Sequence, residues 1–238
     1  MRRFCLYFSF LLAALAFATS AGAQDELKLN QTYRDVIRLH FPAGKTQIPL
    51  PEGNWELLGL QEDQSDQVNR IWRAYLARIE NGILLGKVIF FVNSDAPSYG
   101  WAASSFCEKD DHYHVVIKVN RSSDVDCWAV RRGRTRRKPS WSDGMKQMYD
   151  TLEARGVDLP YRMPIAVYIR RNDYNMLKLI YWFNPATSSI VTREDVQEWI
   201  VNREDVKEWA AHWKPKVDAG FLGELEAFKA KETSVPLK

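Results

Sequence analysis

The sequence of 238 residues is poor in cysteine and histidine, with three of the first and four of the second. With no Cys-x-x-Cys pair there is no dithiol redox motif, and four histidines limit histidine-based acid–base catalysis. The chain also lacks a phosphate-cradling glycine motif, a His-Glu-x-x-His zinc helix and a Gly-x-Ser-x-Gly elbow. The usual sequence patterns of nucleotide-binding, metalloprotease and serine-hydrolase sites are therefore absent.

The first 23 residues are predicted to be a signal peptide. Two arginines precede an apolar run that ends at Thr19, and the small residues Ala21, Gly22 and Ala23 supply a cleavage pattern. The run is too short for a comfortable membrane span, which needs about 20 apolar residues. We therefore expect ordinary secretion, with residues 24–238 forming a single periplasmic or secreted domain.

No membrane span is expected after this leader. The longest later apolar runs, Ile83–Val92 and Met176–Phe183, have the length of β-strands, and a lysine interrupts each of them. These lysines are Lys87 and Lys178. The sequence therefore predicts a chain that is held to a surface, if at all, by contacts and not by a span.

Two cysteines remain once the leader, which contains Cys5, is removed. In an exported chain Cys107 and Cys127 are most simply joined in one disulfide. A closed loop of roughly 20 residues would stabilise the fold by about 3 kcal/mol. The strand pattern places Cys127 opposite a residue near 117, so we expect the bond to tie a loop back onto the sheet and to clamp an acidic turn.

Three β-hairpins are predicted from the hydrophobic alternation and the turn residues. They pair the segments 69–79 with 83–92, 113–119 with 125–130, and 165–170 with 176–183. Shorter strands are expected near 33–40 and 55–60. Hairpins followed by helices predict the α+β class, in the form of an antiparallel sheet of several hairpins packed by C-terminal helices.

Helical periodicity is found in three segments. Ser142 is expected to cap a helix that ends before Gly156. Two C-terminal helices are predicted over 192–213 and from about 215 to 229, with their apolar side chains turned inward. Most of the nine tryptophans fall in patterned segments of this kind, and we expect them in the core.

The positive charge of the chain is concentrated in one short segment. Without the two leader arginines, 31 basic residues face 30 acidic ones, a net charge of +1. Six of the basic residues lie between positions 131 and 138, so the rest of the mature chain carries about −5. They are Arg131, Arg132, Arg134, Arg136, Arg137 and Lys138.

This basic loop predicts an anion-binding surface, because guanidinium groups bind carboxylate and phosphate in a bidentate manner. Trp128 and Trp141 flank the loop and could stack on a sugar ring or lie at a lipid headgroup boundary. In an exported protein the expected partners are an anionic envelope polymer, a lipid headgroup or an acidic protein, and nucleic acid is not expected. The alternative is a disordered, solvated loop without a partner, since six like charges repel.

The turn Asp110–His114 predicts a second kind of site. On a strand, His112 and His114 would point to the same side and could both face one metal ion, with Asp110 or Glu108 supplying an oxygen ligand from the preceding turn. Asp111, His112 and His114 are the candidate residues at the centre of this site. This makes a metal-binding protein or a small metal-dependent hydrolase the alternative function. A plain polar turn explains the same residues, so we assign no metal and no cofactor.

The leading hypothesis from the sequence is an exported, non-enzymatic binding protein that uses its basic loop. A third possibility is a structural component whose helix 192–213 binds a partner through an exposed row of apolar side chains. That row would consist of Trp199, Val206 and Trp213.

Overall fold

The structure is a computed structural model that describes residues 26–41, 44–65, 69–135, 140–184 and 202–228. The predicted signal peptide lies outside these residues. So do the first ten residues of the predicted helix 192–213 and three members of the predicted basic loop, namely Arg136, Arg137 and Lys138.

Ten strands and two helices of more than one turn are found in the described part of the chain. They follow in the order β1 (Thr32–Tyr33), β2 (Val36–Phe41), β3 (Gly44–Pro49), β4 (Trp55–Ser65), β5 (Asn69–Glu80), β6 (Ile83–Asn93), β7 (His114–Arg121), β8 (Asp124–Arg134), α1 (Asp143–Ala154), β9 (Arg162–Arg171), β10 (Met176–Phe183) and α2 (Asn202–Phe221).

Eight of these strands form one antiparallel sheet in the order β1-β4-β5-β6-β10-β9-β8-β7, and β2 pairs with β3 as a separate hairpin. The three predicted hairpins are all present, as β5/β6, β7/β8 and β9/β10. Asn81 and Gly82 both have positive φ in the turn between β5 and β6, as a primed hairpin turn requires. The predicted α+β class, with a mostly antiparallel sheet, is therefore confirmed.

The helix α1 lies against one face of the sheet. Its N-cap is Ser142, whose side chain accepts a hydrogen bond from the backbone N–H of Met145, and Gly156 follows its end with φ +65°. Both termini agree with the sequence. Its apolar side chains, including Met148 and Leu152, are buried in one cluster with strand residues of β4, β5 and β6.

The helix α2 belongs to the opposite face. The sequence predicted a break at Pro215, but α2 continues through this residue to Phe221. A proline removes one backbone hydrogen bond from a helix and costs about 3 kcal/mol. Apolar side chains on both sides of this proline are buried in the same cluster as sheet residues: Val206 and Ala210 before it and Val217 after it. The free energy of that burial outweighs the lost hydrogen bond.

The apolar row that the sequence analysis suggested as a partner-binding surface is not exposed in its described part. Val206 has no accessible surface, and Trp213 is partly buried against the core. Trp199 lies outside the described residues. Trp55 and Trp101 are buried as predicted, and Trp128, which was expected to flank the basic loop, is buried as well.

A buried ionic cluster ties α2 to β8 and β9. The carboxylate of Asp126 on β8 is 2 % exposed, and it forms ion pairs with Arg170 on β9 and with Lys214 on α2, the latter at 2.8 Å. Asp218 pairs with the same two cations, at 3.3 Å from Arg170 and 2.5 Å from Lys214. Two acids and two bases therefore balance one another under the helix.

No helix in the described ranges is long and apolar enough to cross a membrane.

Candidate functional site

A groove of about 980 Å³ opens on the α1 face of the sheet, near the upper end of the ~300–1,000 Å³ typical of ligand pockets. Its floor consists of Ile165 and Val167 from β9 and of Ile180 and Trp182 from β10. Its walls are the first half of α1, the loop Phe106–Tyr113 and the end of β8. We refer to this cavity as the groove.

The disulfide holds one wall of the groove. Cys107 is bonded to Cys127 on β8, with their Cα atoms 6.1 Å apart, and both are buried with side chains of β9. Cys127 lies opposite Ile117 on β7, as the sequence predicted, so the bond joins a loop to the sheet and does not staple two paired strands. The imidazole of His112 fixes the same loop, because its Nε2 lies 2.6 Å from the carbonyl oxygen of Phe106.

The two features that the sequence singled out meet in this groove. The Asp111 carboxylate accepts a hydrogen bond of 2.7 Å from the Arg131 guanidinium, which also lies over the Phe106 ring. Both features contribute to its lining, the acidic turn through Asp110, Asp111 and His112 and the basic segment through Arg131, Arg132 and Arg134. Basic, acidic and aromatic groups therefore converge in one concave site.

The first half of the basic segment is not a loop, contrary to the prediction. β8 continues to Arg134 and pairs with β9, with Arg131 opposite Ile165 and Arg134 opposite Arg162. Successive side chains of a strand point to opposite faces, so pairing separates neighbouring guanidinium groups that would repel in a loop. The backbone ladder to β9 is non-local, and the local charge pattern does not reveal it.

Lys178 places an ammonium group in the lining of the groove. It is half-buried on β10, 5.1 Å from the ring centroid of Phe91 and 5.4 Å from that of Phe106. Among the described residues, no carboxylate lies within ion-pair distance of it. Burial, followed by the charges of the neighbouring cations Lys109, Arg131, Arg171 and Arg73, lowers the pKa of Lys178 to about 8.

The lining as a whole carries an excess of positive charge. Five basic residues and two acidic ones contribute to it. The basic ones are Lys109, Arg131, Arg132, Arg134 and Lys178, and the acidic ones are Asp110 and Asp111. However, Arg132 and Arg134 alternate with Arg131 and Gly133 along β8 and so point to the other face. Lys109, Arg131 and Lys178 against Asp110 and Asp111 leave a formal net charge of +1. Because the floor is apolar, these charges are less screened than charges on an open surface.

The other end of the groove is aromatic. Trp141 packs on Tyr149 with ring centroids 4.4 Å apart, and both line the groove together with Trp182. The indole of Trp182 lies against Gly133 so closely that a Cβ there would be 2.1 Å from the ring. A glycine near the end of β8 is therefore what allows this indole to lie across the sheet.

A fully buried lysine supports the aromatic end. Lys87 on β6 donates a hydrogen bond of 2.5 Å to the hydroxyl of Tyr149, and its Nζ lies 3.9 Å from the ring centroid of Trp182. Burial lowers the pKa of Lys87 to about 7 and raises the pKa of Tyr149. At physiological pH the phenol is therefore neutral, and the amine is close to its own pKa.

The two histidines of the metal hypothesis have different surroundings. His112 packs on Phe106 in the loop, whereas His114 begins β7 and packs on Trp128, with ring centroids 5.0 Å apart. Burial, followed by the charge of Lys207, lowers the pKa of His114. Within the part of the chain that the structure describes, no three His, Cys, Asp or Glu side chains are grouped so that they could hold a metal ion.

Sequence reasoning did not assign a role to Lys87, Lys178 or Trp182. The signal was present, because each lysine is the lone charge in an apolar strand segment, Ile83–Val92 for Lys87 and Met176–Phe183 for Lys178. A lysine in such a position is buried with its strand unless it lies at an exposed edge. The sequence alone does not show that Lys178 and Arg131 face the same cavity, because they lie on strands that are separated by β9.

Comparison with known protein families, with curated proteins and with solved structures finds no match to this chain. No relative therefore assigns a role to any residue of the groove. Its chemistry follows from its lining, which offers cations to an anion, aromatic rings to an apolar ring face, and the carboxylates of Asp110 and Asp111 to hydroxyl donors.

Proposed function

We propose that this protein is an exported, non-enzymatic binding protein that holds an anionic ligand in the groove. The observation that carries the proposal is the position of Lys178. Its half-buried ammonium lies among other cations and has no carboxylate partner in the described structure. A buried charge without a partner is costly, and a bound anion would supply the missing partner.

The surroundings of Lys178 favour an anion over a neutral ligand. Lys109, Arg131 and Lys178 all line the groove, so an anionic group bound there can receive several charge-assisted hydrogen bonds at once. Asp111 offsets part of the charge of Arg131 at 2.7 Å and orients its guanidinium. The positive charges of Lys109 and Lys178 remain for the ligand.

The proposal includes the location of the protein. The predicted leader and the Cys107–Cys127 bond support an extracytoplasmic location, where such bonds persist.

The proposal also includes the expectation that the C-terminal helices cover one face of the sheet, which the burial of α2 side chains supports. In that arrangement the face that carries the groove is left for the ligand.

The ligand would come from the envelope or the surroundings of the cell. An anionic envelope polymer, a lipid headgroup and an acidic protein all offer the required charge. Arg134 lies at the end of β8, and the chain continues from it into Arg136, Arg137 and Lys138. The six basic residues between positions 131 and 138 give this segment a local positive charge that would steer an anion toward it.

The proposal is tested with dextran sulfate as the probe and neutral dextran as its uncharged counterpart. Binding to the purified mature protein is measured by isothermal titration at several salt concentrations, with Lys178→Met as the test variant. Lys45→Met is the matched control, because Lys45 is an exposed lysine on β3 and does not line the groove.

We expect dextran sulfate to bind, dextran not to bind, and the affinity to fall as salt rises. Loss of one charge-assisted contact of roughly 1.5–3 kcal/mol should weaken binding by Lys178→Met roughly 10- to 100-fold, and Lys45→Met should bind like the wild type. Equal binding by both variants would remove the groove from the proposal. Absence of binding to any anion would overturn the function itself.

A further inference from the structure

We propose that the ligand of the groove is an acidic oligosaccharide, with one sugar ring packed on the Trp141 and Trp182 end and an acid group at Lys178. This inference rests on the proposed function and narrows it to one class of ligand. It depends on the order of side chains along β10 and on the carboxylates of the opposite wall.

The first observation is the sequence of chemical groups along the floor. Lys178, Ile180 and Trp182 follow one another on the groove face of β10. Residues four apart on a strand are separated by roughly 13 Å, so the charged end and the aromatic end are further apart than the width of a single sugar ring. A ligand that uses both ends is therefore an oligomer with an acid group on one unit and an apolar ring face on another.

The second observation is the aromatic end itself. Trp141 is half-buried and packs on Tyr149, and Trp182 lines the same part of the groove. Indole rings offer a flat apolar surface with a polar edge, and this matches a pyranose ring, which has apolar C–H faces and hydroxyl groups at its rim. Lys87 and Gly133 fix the position of the Trp182 indole from the protein side.

The third observation is the presence of acids among the bases. Asp110 and Asp111 line the groove together with Arg131 and Lys109. Carboxylates repel a ligand that is only a polyanion, but they accept hydrogen bonds from hydroxyl groups. A saccharide that carries both hydroxyl and acid groups can satisfy both kinds of side chain, whereas an acidic peptide brings carboxylates and few hydroxyl donors.

The test compares four probes with the wild-type protein by isothermal titration. They are an oligogalacturonate of defined length, the same oligomer with its carboxyl groups reduced to alcohols, polyaspartate, and phosphatidylglycerol vesicles. Trp141→Ala is the test variant for the aromatic end, and Lys178→Met is the test variant for the charged end. Trp72→Ala is the control, because Trp72 is a partly buried tryptophan of the other sheet face.

We expect the oligogalacturonate to bind more tightly than the other three probes. Trp141→Ala should weaken its binding roughly five- to tenfold, as expected for the loss of one aromatic contact. Lys178→Met should weaken it more, and Trp72→Ala should leave it unchanged. Galacturonate monomer, added as a fifth probe, should bind far more weakly than the oligomer, because it cannot reach both ends.

The failures of the two proposals can be told apart. If polyaspartate or the vesicles bind as tightly as the oligogalacturonate and only Lys178→Met weakens binding, the saccharide inference is overturned while the anion-binding function stands. If the reduced oligomer binds as well as the acidic one, the acid group has no role and the inference also falls. If no anionic probe binds, both proposals fall.

Discussion

Replacement of the buried lysine behind the groove should change how the stability of the protein depends on pH. Lys87 has no accessible surface, and burial lowers its pKa to about 7, against about 10.4 in an unfolded chain. The perturbation is Lys87→Met, which keeps an unbranched side chain of similar length and removes the ammonium. Tyr149 and Trp182 would then contact a methyl group in place of Nζ.

The direction of the effect follows from proton binding in the two states. Between pH 7 and about 10, the unfolded chain holds a proton on Lys87 that the folded protein has lost, so stability rises with pH. Each pH unit in this window corresponds to about 1.4 kcal/mol. From pH 7.5 to pH 9.5, Lys87 should therefore contribute a gain in the free energy of unfolding of roughly 2 to 3 kcal/mol.

The assay is urea denaturation followed by tryptophan fluorescence at pH 7.5, 8.5 and 9.5, for the wild type and for Lys87→Met. Lys178 adds a rise of the same sign in both proteins, because its pKa is also lowered by burial. The quantity of interest is therefore the difference between the two slopes. The wild type should gain roughly 2 to 3 kcal/mol more than the variant, and identical slopes would show that Lys87 keeps its proton and refute the reasoning.

Three further variants test the frame that holds the groove. Asp126→Asn should lower the free energy of unfolding by about 1–3 kcal/mol, because it leaves Arg170 and Lys214 with Asp218 as their one remaining carboxylate in the cluster, as urea titration would show. Replacing Cys107 and Cys127 together by alanine should cost about 3 kcal/mol and weaken dextran sulfate binding, since the loop wall is released. Gly133→Ala should displace the Trp182 indole and lower the free energy of unfolding by about 1–3 kcal/mol. The displacement should change the near-ultraviolet circular dichroism spectrum, and an unchanged spectrum would contradict the contact.

The hairpins were predictable because their signals are local. The turn at Asn81-Gly82 and the alternation on either side of it specify β5 and β6 without knowledge of the rest of the chain. Ser142 and Gly156 bound α1 for the same reason. Pro215 misled the prediction of the last helices, because the burial that keeps α2 continuous depends on contacts with the distant sheet.

The groove was predictable only in its parts. Arg131 and Asp111 were singled out separately, but their ion pair depends on the disulfide and on the pairing of β8 with β7 and β9. The local repulsion of like charges predicted a loop at Arg131–Arg134, and the backbone ladder to β9 overrides it. Lys178 was visible as a lone charge in an apolar strand, yet only the sheet order shows what it faces.

The most direct test of the central claim is the pKa of Lys178 with and without a bound anion. Nitrogen-15 NMR of labelled lysine follows its ammonium, and Lys178→Met assigns the signal. In the free protein the pKa should be about 8. Saturating dextran sulfate should raise it by more than about one unit, because a nearby anion favours the charged form.

Binding should accordingly be strongest below pH 8 and weaken as the pH rises from the pKa of Lys178 in the free protein toward its raised pKa in the complex. A pKa of Lys178 that stays the same while dextran sulfate is bound would place the anion elsewhere and contradict the account.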